Sequence, residues 1–172
     1  MGTYIYIHGH ISYDKDKEND IVQALKDLNK RNDLKNGGSS NGQKWFSWMN
    51  ENYDEYLSSV EEMLTELGFE SSMEIDTDTK EVRYDLHYND KWGQHELFFI
   101  AMAPHLNSMQ IYHECDELSN IKEYWILELD PKTKEVKQRQ AEVIIKYPPM
   151  DESLVVTFKD YTPWKYDFSD EV

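Results

Sequence analysis

Two ten-residue stretches constrain this chain more than anything else in it. Glu74-Ile75-Asp76-Thr77-Asp78-Thr79-Lys80-Glu81-Val82-Arg83 aligns with Glu128-Leu129-Asp130-Pro131-Lys132-Thr133-Lys134-Glu135-Val136-Lys137, identical at six of ten positions and conservative at two more. In each, Asp opens a turn and Thr-Lys closes it, between runs of strand-forming residues. The similarity ends outside the ten residues, which favours independent use of one good turn over a duplicated unit. Either way, two hairpins demand a mostly antiparallel sheet.

The rest of the chain supplies the partners. Thr3 to Tyr13 alternates, with Ile5, Ile7, Gly9 and Ile11 on one face and Tyr4, Tyr6, His8, His10 and Ser12 on the other, as in a strand with one buried side. Glu18 to Arg31 reads as a helix on the spacing of Ile21, Val22, Leu25 and Leu28. Asn36 to Gly42 reads as a flexible loop. Tyr53, Tyr56, Leu57, Val60, Met63, Leu64 and Leu67 predict one long helix, stopped by Gly68. Strands are predicted at Ser72–Asp76, Glu81–Tyr88, Met109–His113, Tyr124–Asp130, Val136–Tyr147 and Leu154–Phe158. The dense run Leu97 to Met102, ended by Pro104, reads as a central strand covered on both faces. The expectation is one α+β domain over residues 1–172: five to seven mostly antiparallel strands with two helices on one face, of which a ferredoxin-like arrangement is one form, and an acidic tail over about 161–172.

Composition narrows function. The 172 residues are 39% hydrophobic and 13% aromatic, enough for a real core. Eighteen Lys and Arg against 34 Asp and Glu give a formal charge of −16, which opposes direct binding to nucleic-acid phosphates. The single cysteine, Cys115, allows no internal disulfide. The opening residues lack a signal-peptide pattern, Tyr6 spoils a myristoylation signal, and no apolar window is long enough to cross a bilayer. A cytoplasmic location is expected.

No catalytic motif stands out. His8-Gly9-His10 and His113-Glu114-Cys115 place metal-capable side chains on alternate strand positions, but no third ligand stands at diagnostic spacing. A metal-dependent enzyme using His8, His10 and His113 is therefore a minor alternative, and no cofactor is expected. Asp14 to Asp20 fails the calcium-loop pattern at Asn19 and Leu25. Ser58-Ser59 and Ser71-Ser72 lack nucleophile-elbow glycines. Gly37-Gly38 lacks the residues of a phosphate loop.

Charge is distributed less evenly than composition implies. The 35 residues between Lys44 and Lys80 contain no Lys or Arg and ten carboxylates: Glu51, Asp54, Glu55, Glu61, Glu62, Glu66, Glu70, Glu74, Asp76 and Asp78. On a continuous helix, Glu51, Glu55, Glu62 and Glu66 share the face opposite the apolar stripe. Like charges at i, i+4 oppose helix formation slightly, and no lysine offsets them here. The bland explanation is a solvated acidic face; the functional one is a surface that steers toward a basic partner. That surface would comprise the acidic helix face and the Asp76–Asp78 turn, aided by Asp167, Asp170 and Glu171 of the tail, with Trp45 and Trp48 anchoring the contact at its rim.

Gly2-Thr3-Tyr4-Ile5-Tyr6-Ile7-His8-Gly9-His10-Ile11 resembles the first strand of small phage and prophage proteins of unknown function. Trp45-Phe46-Ser47-Trp48-Met49, Asn52-Tyr53-Asp54-Glu55-Tyr56-Leu57 and Glu66-Leu67-Gly68-Phe69 are similar to their central helix. The resemblance implies a mobile-element origin and no catalytic residues. By analogy it implies an acidic inhibitor of a host nucleic-acid-processing defence protein, of the anti-CRISPR or anti-restriction class, whose partner is a basic nuclease or similar effector. The runner-up is an immunity protein that neutralises a basic toxin.

Overall fold

The structure, a computed structural model, describes residues 4–46, 58–91, 93–115, 121–146 and 153–160. The element order is β1 (Tyr4–Asp14), α1 (Glu18–Lys30), β2 (Gly37–Gly38), β3 (Lys44–Trp45), α2 (Val60–Glu66), β4 (Glu70–Ile75), β5 (Glu81–Lys91), α3 (His95–Met102), β6 (Ser108–Cys115), β7 (Ile121–Leu129), β8 (Val136–Lys146) and β9 (Ser153–Asp160). Seven strands form one antiparallel sheet in the order β4-β5-β1-β6-β7-β8-β9. The chain is thus α+β, as its hairpins require. The segment expected to be a loop carries the small β2–β3 hairpin.

Strand alternation sorts the side chains. Ile5, Ile7, Ile11 and Tyr13 of β1, and Val82, Tyr84, Leu86 and Tyr88 of β5, are buried on one face. Tyr4, Tyr6 and His8 are exposed on the other. The helices cover the first face: Ile21, Val22, Leu25 and Leu28 of α1 and Val60, Met63 and Leu64 of α2 complete the same core. Gly9 lies in β1 opposite Ile111 of β6. A Cβ there would sit 2.1 Å from the Gln110 carbonyl oxygen, so only glycine fits.

The run expected to be a central strand is helix α3. Its residues His95, Leu97, Phe98, Phe99, Ala101 and Met102 are all buried, so no periodicity distinguishes helix from strand. Topology decides instead. β5 and β6 both run antiparallel to β1 and so run parallel to each other, and parallel strands need a crossover, which a helix supplies. The helical layer therefore has three members among the described residues, not two.

The long helix is also corrected. Ser59 is extended (φ −138°, ψ 160°), and α2 begins only at Val60. Ser59 Oγ accepts from the Glu62 N–H (3.1 Å), while the Glu62 carboxylate accepts from Ser58 N–H (2.9 Å) and Ser58 Oγ (3.0 Å). That is a capping arrangement, and it starts a helix rather than continuing one. Residues 51–57 lie outside the described residues, so one face shared by Glu51, Glu55, Glu62 and Glu66 does not follow. The C-terminal stop is as expected. Gly68 has φ 86°, with its N–H donating to Thr65 O and that of Phe69 to Leu64 O, a left-handed cap.

The twin turns agree in detail. Asp76 Oδ1 accepts from the N–H groups of Asp78 (2.8 Å) and Thr79 (3.0 Å); Asp130 Oδ1 accepts from those of Lys132 (3.0 Å) and Thr133 (3.2 Å). Thr79 and Thr133 each accept from the second residue onward, Glu81 and Glu135. Lys80 (φ 62°) and Lys134 (φ 60°) close the loops in the left-handed region.

Candidate functional site

From Glu61 onward, the described part of the acidic segment folds into one edge of the molecule. It runs through α2, then edge strand β4, which packs on α2, then the turn into β5. Glu61, Glu62, Glu66, Glu70, Glu74, Asp76 and Asp78 are all exposed. They do not all do the same work. Glu62 caps α2, and its carboxyl is held below the ordinary range first by the Ser58 backbone N–H and then by the Ser58 hydroxyl. Asp76 builds its turn, and the N–H groups of Thr79 and Asp78 lower its pKa. The carboxylates of Glu61, Glu70, Glu74 and Asp78 take no such capping or turn-building part, Asp78 entering its turn through its backbone N–H. Met73 and Ile75 of β4 are 43% and 48% exposed, so the acidic edge also shows two apolar side chains.

Trp45, expected as an anchor, is half-buried in the β2–β3 hairpin. Its indole lies over Gly37, where a Cβ would sit 2.4 Å from Nε1. This contact fixes the hairpin. Trp48, Glu51, Asp54 and Glu55 lie outside the described residues, as do Asp167, Asp170 and Glu171 of the tail.

The histidine triad of the metal alternative does not converge. His8 and His10 stand on the open face of β1, where His8 stacks between His87 (6.3 Å) and Tyr112 (5.1 Å). His113 pairs in register with Ile7 and so stands on the covered face. A sheet separates the two sets. No cluster of three metal-capable side chains occurs among the described residues.

A second polar site was not expected from the sequence. Where the helical layer meets β6, β7 and β8, a cavity of about 40 Å³ lies beneath α3. Ile7, Phe99, Ile111 and Leu127 form its apolar lining; His95, Glu96, His113 and Gln138 contribute polar groups. His95 is 2% exposed, and neither ring nitrogen has a hydrogen-bond partner. Its ring packs against Tyr88 (4.2 Å) and edge-on to Phe69 (5.6 Å). Burial, and secondarily the neighbouring His113, pushes the His95 pKa down to about 3. Burial pushes His113 down to about 4 and raises the Glu96 carboxyl. The sequence signal for this site is a His-Glu pair opening an apolar run, a weak pattern once that run is taken for a strand.

The chain matches no family model, no curated protein and no solved structure. Among the described residues, no helix is long and apolar enough to cross a membrane.

Proposed function

We propose that this chain is a non-enzymatic inhibitor of phage type, whose acidic edge occupies the basic nucleic-acid groove of a host defence enzyme and excludes DNA or RNA. One observation carries the reading: α2, β4 and the β4–β5 turn present seven exposed carboxylates along one edge, in a stretch of sequence without a single Lys or Arg. A surface of one sign attracts a basic partner and speeds encounter, an effect that salt screens. The resemblance of the β1 and central-helix motifs to phage and prophage proteins supports the same reading.

We also read the frame as a ferredoxin-like core extended by a three-strand meander. The order β4-β5-β1-β6, with helices in the two crossovers, supports this. β7, β8 and β9 are the extension.

The test is charge reversal on residues that do not hold the fold. The wild-type chain is expected to capture a basic nucleic-acid enzyme from host lysate at low salt and to block its binding to DNA or RNA. The triple variant Glu61→Lys, Glu70→Lys, Glu74→Lys is expected to associate at least about tenfold more slowly with its unfolding midpoint retained. An unchanged association rate, or a captured enzyme that still binds its nucleic acid, sinks the proposal.

A further inference from the structure

We propose that the cavity beneath α3 is a binding site for a small uncharged molecule, or the uncharged end of a longer one, bearing a hydroxyl or carboxamide on a short apolar stem. The site is independent of the acidic edge, and either proposal can fail without the other.

The unpartnered imidazole of His95 points to a ligand. A neutral imidazole has one N–H donor and one nitrogen acceptor. Buried polar groups in folded proteins are ordinarily hydrogen-bonded, and an unmet one in the core asks for an explanation. Here both nitrogens of a side chain that is 2% exposed lack a partner, and the side chain lines a cavity. The two ring nitrogens point away from each other, so one small group meets only one of them; a hydroxyl or carboxamide, which offers both a donor and an acceptor, can meet whichever nitrogen faces the cavity.

Charge and size narrow the class. No Lys or Arg lines the cavity, so an anion finds no counter-charge. The one carboxyl there, Glu96, is itself disfavoured as an anion by burial. An organic cation therefore finds only a weakened partner, and a metal ion lacks a three-ligand cluster among the described residues. The apolar side chains Ile7, Phe99, Ile111 and Leu127 accept a stem rather than a second polar head. At roughly 10–15 Å³ for each water-sized position, a cavity of 40 Å³ has room for three or four heavy atoms.

The experiment is a titration of the full chain, followed by NMR of the histidine ring nitrogens at pH 7. The probes are ethanol and acetamide, with ethylammonium and acetate as charged controls on the same stems, each of three or four heavy atoms. The proposal expects saturable shifts at His95 from the two uncharged probes and affinity at least about tenfold weaker from the charged ones. Ile111→Phe fills the cavity while leaving His95 in place, and is expected to abolish saturation. Leu127→Phe serves the same purpose if that variant does not fold. Shifts that grow linearly with every probe overturn the proposal. So do equal affinities for charged and uncharged probes, saturation that survives both variants, or a crystal structure in which ordered water fills the cavity and the probes fail to displace it.

Discussion

His95 and Gly9 show how much single positions decide in this molecule. His95 is buried neutral beside His113, with folded-state pKa values pushed to about 3 and about 4 against an ordinary 6.5. The sign follows from proton counting. Below pH 6.5 the unfolded chain binds protons that the folded chain refuses, so stability falls as pH falls, down to about pH 3 to 4. In the steepest part the His95 contribution is about 1.4 kcal/mol per pH unit. Urea unfolding between pH 7 and pH 4 checks this, and His95→Phe is expected to flatten the slope while keeping the aromatic packing on Phe69 and Tyr88. At Gly9 the constraint is steric. A Cβ there meets the Gln110 carbonyl at 2.1 Å, so Gly9→Ala forces β1 and β6 apart and is expected to cost about 1–3 kcal/mol in urea unfolding. Neither position announces itself. His95 reads as the edge of an apolar run, and Gly9 as one member of an alternating face.

Among the elements, those with a local signature were legible and those set by distant partners were not. β1, α1, the Gly68 stop and both hairpins follow from alternation, helical spacing and turn residues that act within a few positions. α3 was misread because every side of it is covered, and only the parallel relation of β5 and β6 fixes its type. The start of α2 was misread because the apolar stripe outweighed Ser59-Val60-Glu61-Glu62, which is a capping-box signature on its own terms. That motif makes a prediction: Ser59→Ala is expected to lose about 1 kcal/mol, measured by thermal or urea unfolding. The twin turns make another. Lys80 and Lys134 hold left-handed backbone at φ 62° and 60°, which disfavours any side chain. Lys80→Gly is expected to stabilise by roughly 0.5–1 kcal/mol, whereas Lys134→Gly is expected to fall short of that gain, because it also removes the Lys134 Nζ donation to the Leu106 carbonyl (2.6 Å). The candidate site divides the same way. The acidic residues were visible as a run without cations, whereas the cavity assembles from five separate elements, β1, α3, β6, β7 and β8, and has no signature in any one of them.

For the whole molecule, a formal charge of −16 on 172 residues means that folding gathers like charges. Salt screens that repulsion, so the melting temperature is expected to rise between about 10 and 150 mM sodium chloride, the range in which the screening length falls from about 30 to about 8 Å. A flat or falling curve would show that local ion pairs such as Arg83–Asp85 and Lys137–Asp130 outweigh the net charge. The alternation of strand direction has one more consequence. Counting strands from the β4–β5 connection to the β7–β8 connection places both tips at the same rim, about 19 Å apart at ~4.8 Å per strand. The two tips share one backbone recipe but differ in charge, with Asp78 on the first where Lys132 stands on the second. Transposing the ten-residue stretches therefore amounts to moving a negative pole along the rim while the frame, the total charge and the composition stay constant, a way to ask where a partner senses charge without changing how much there is.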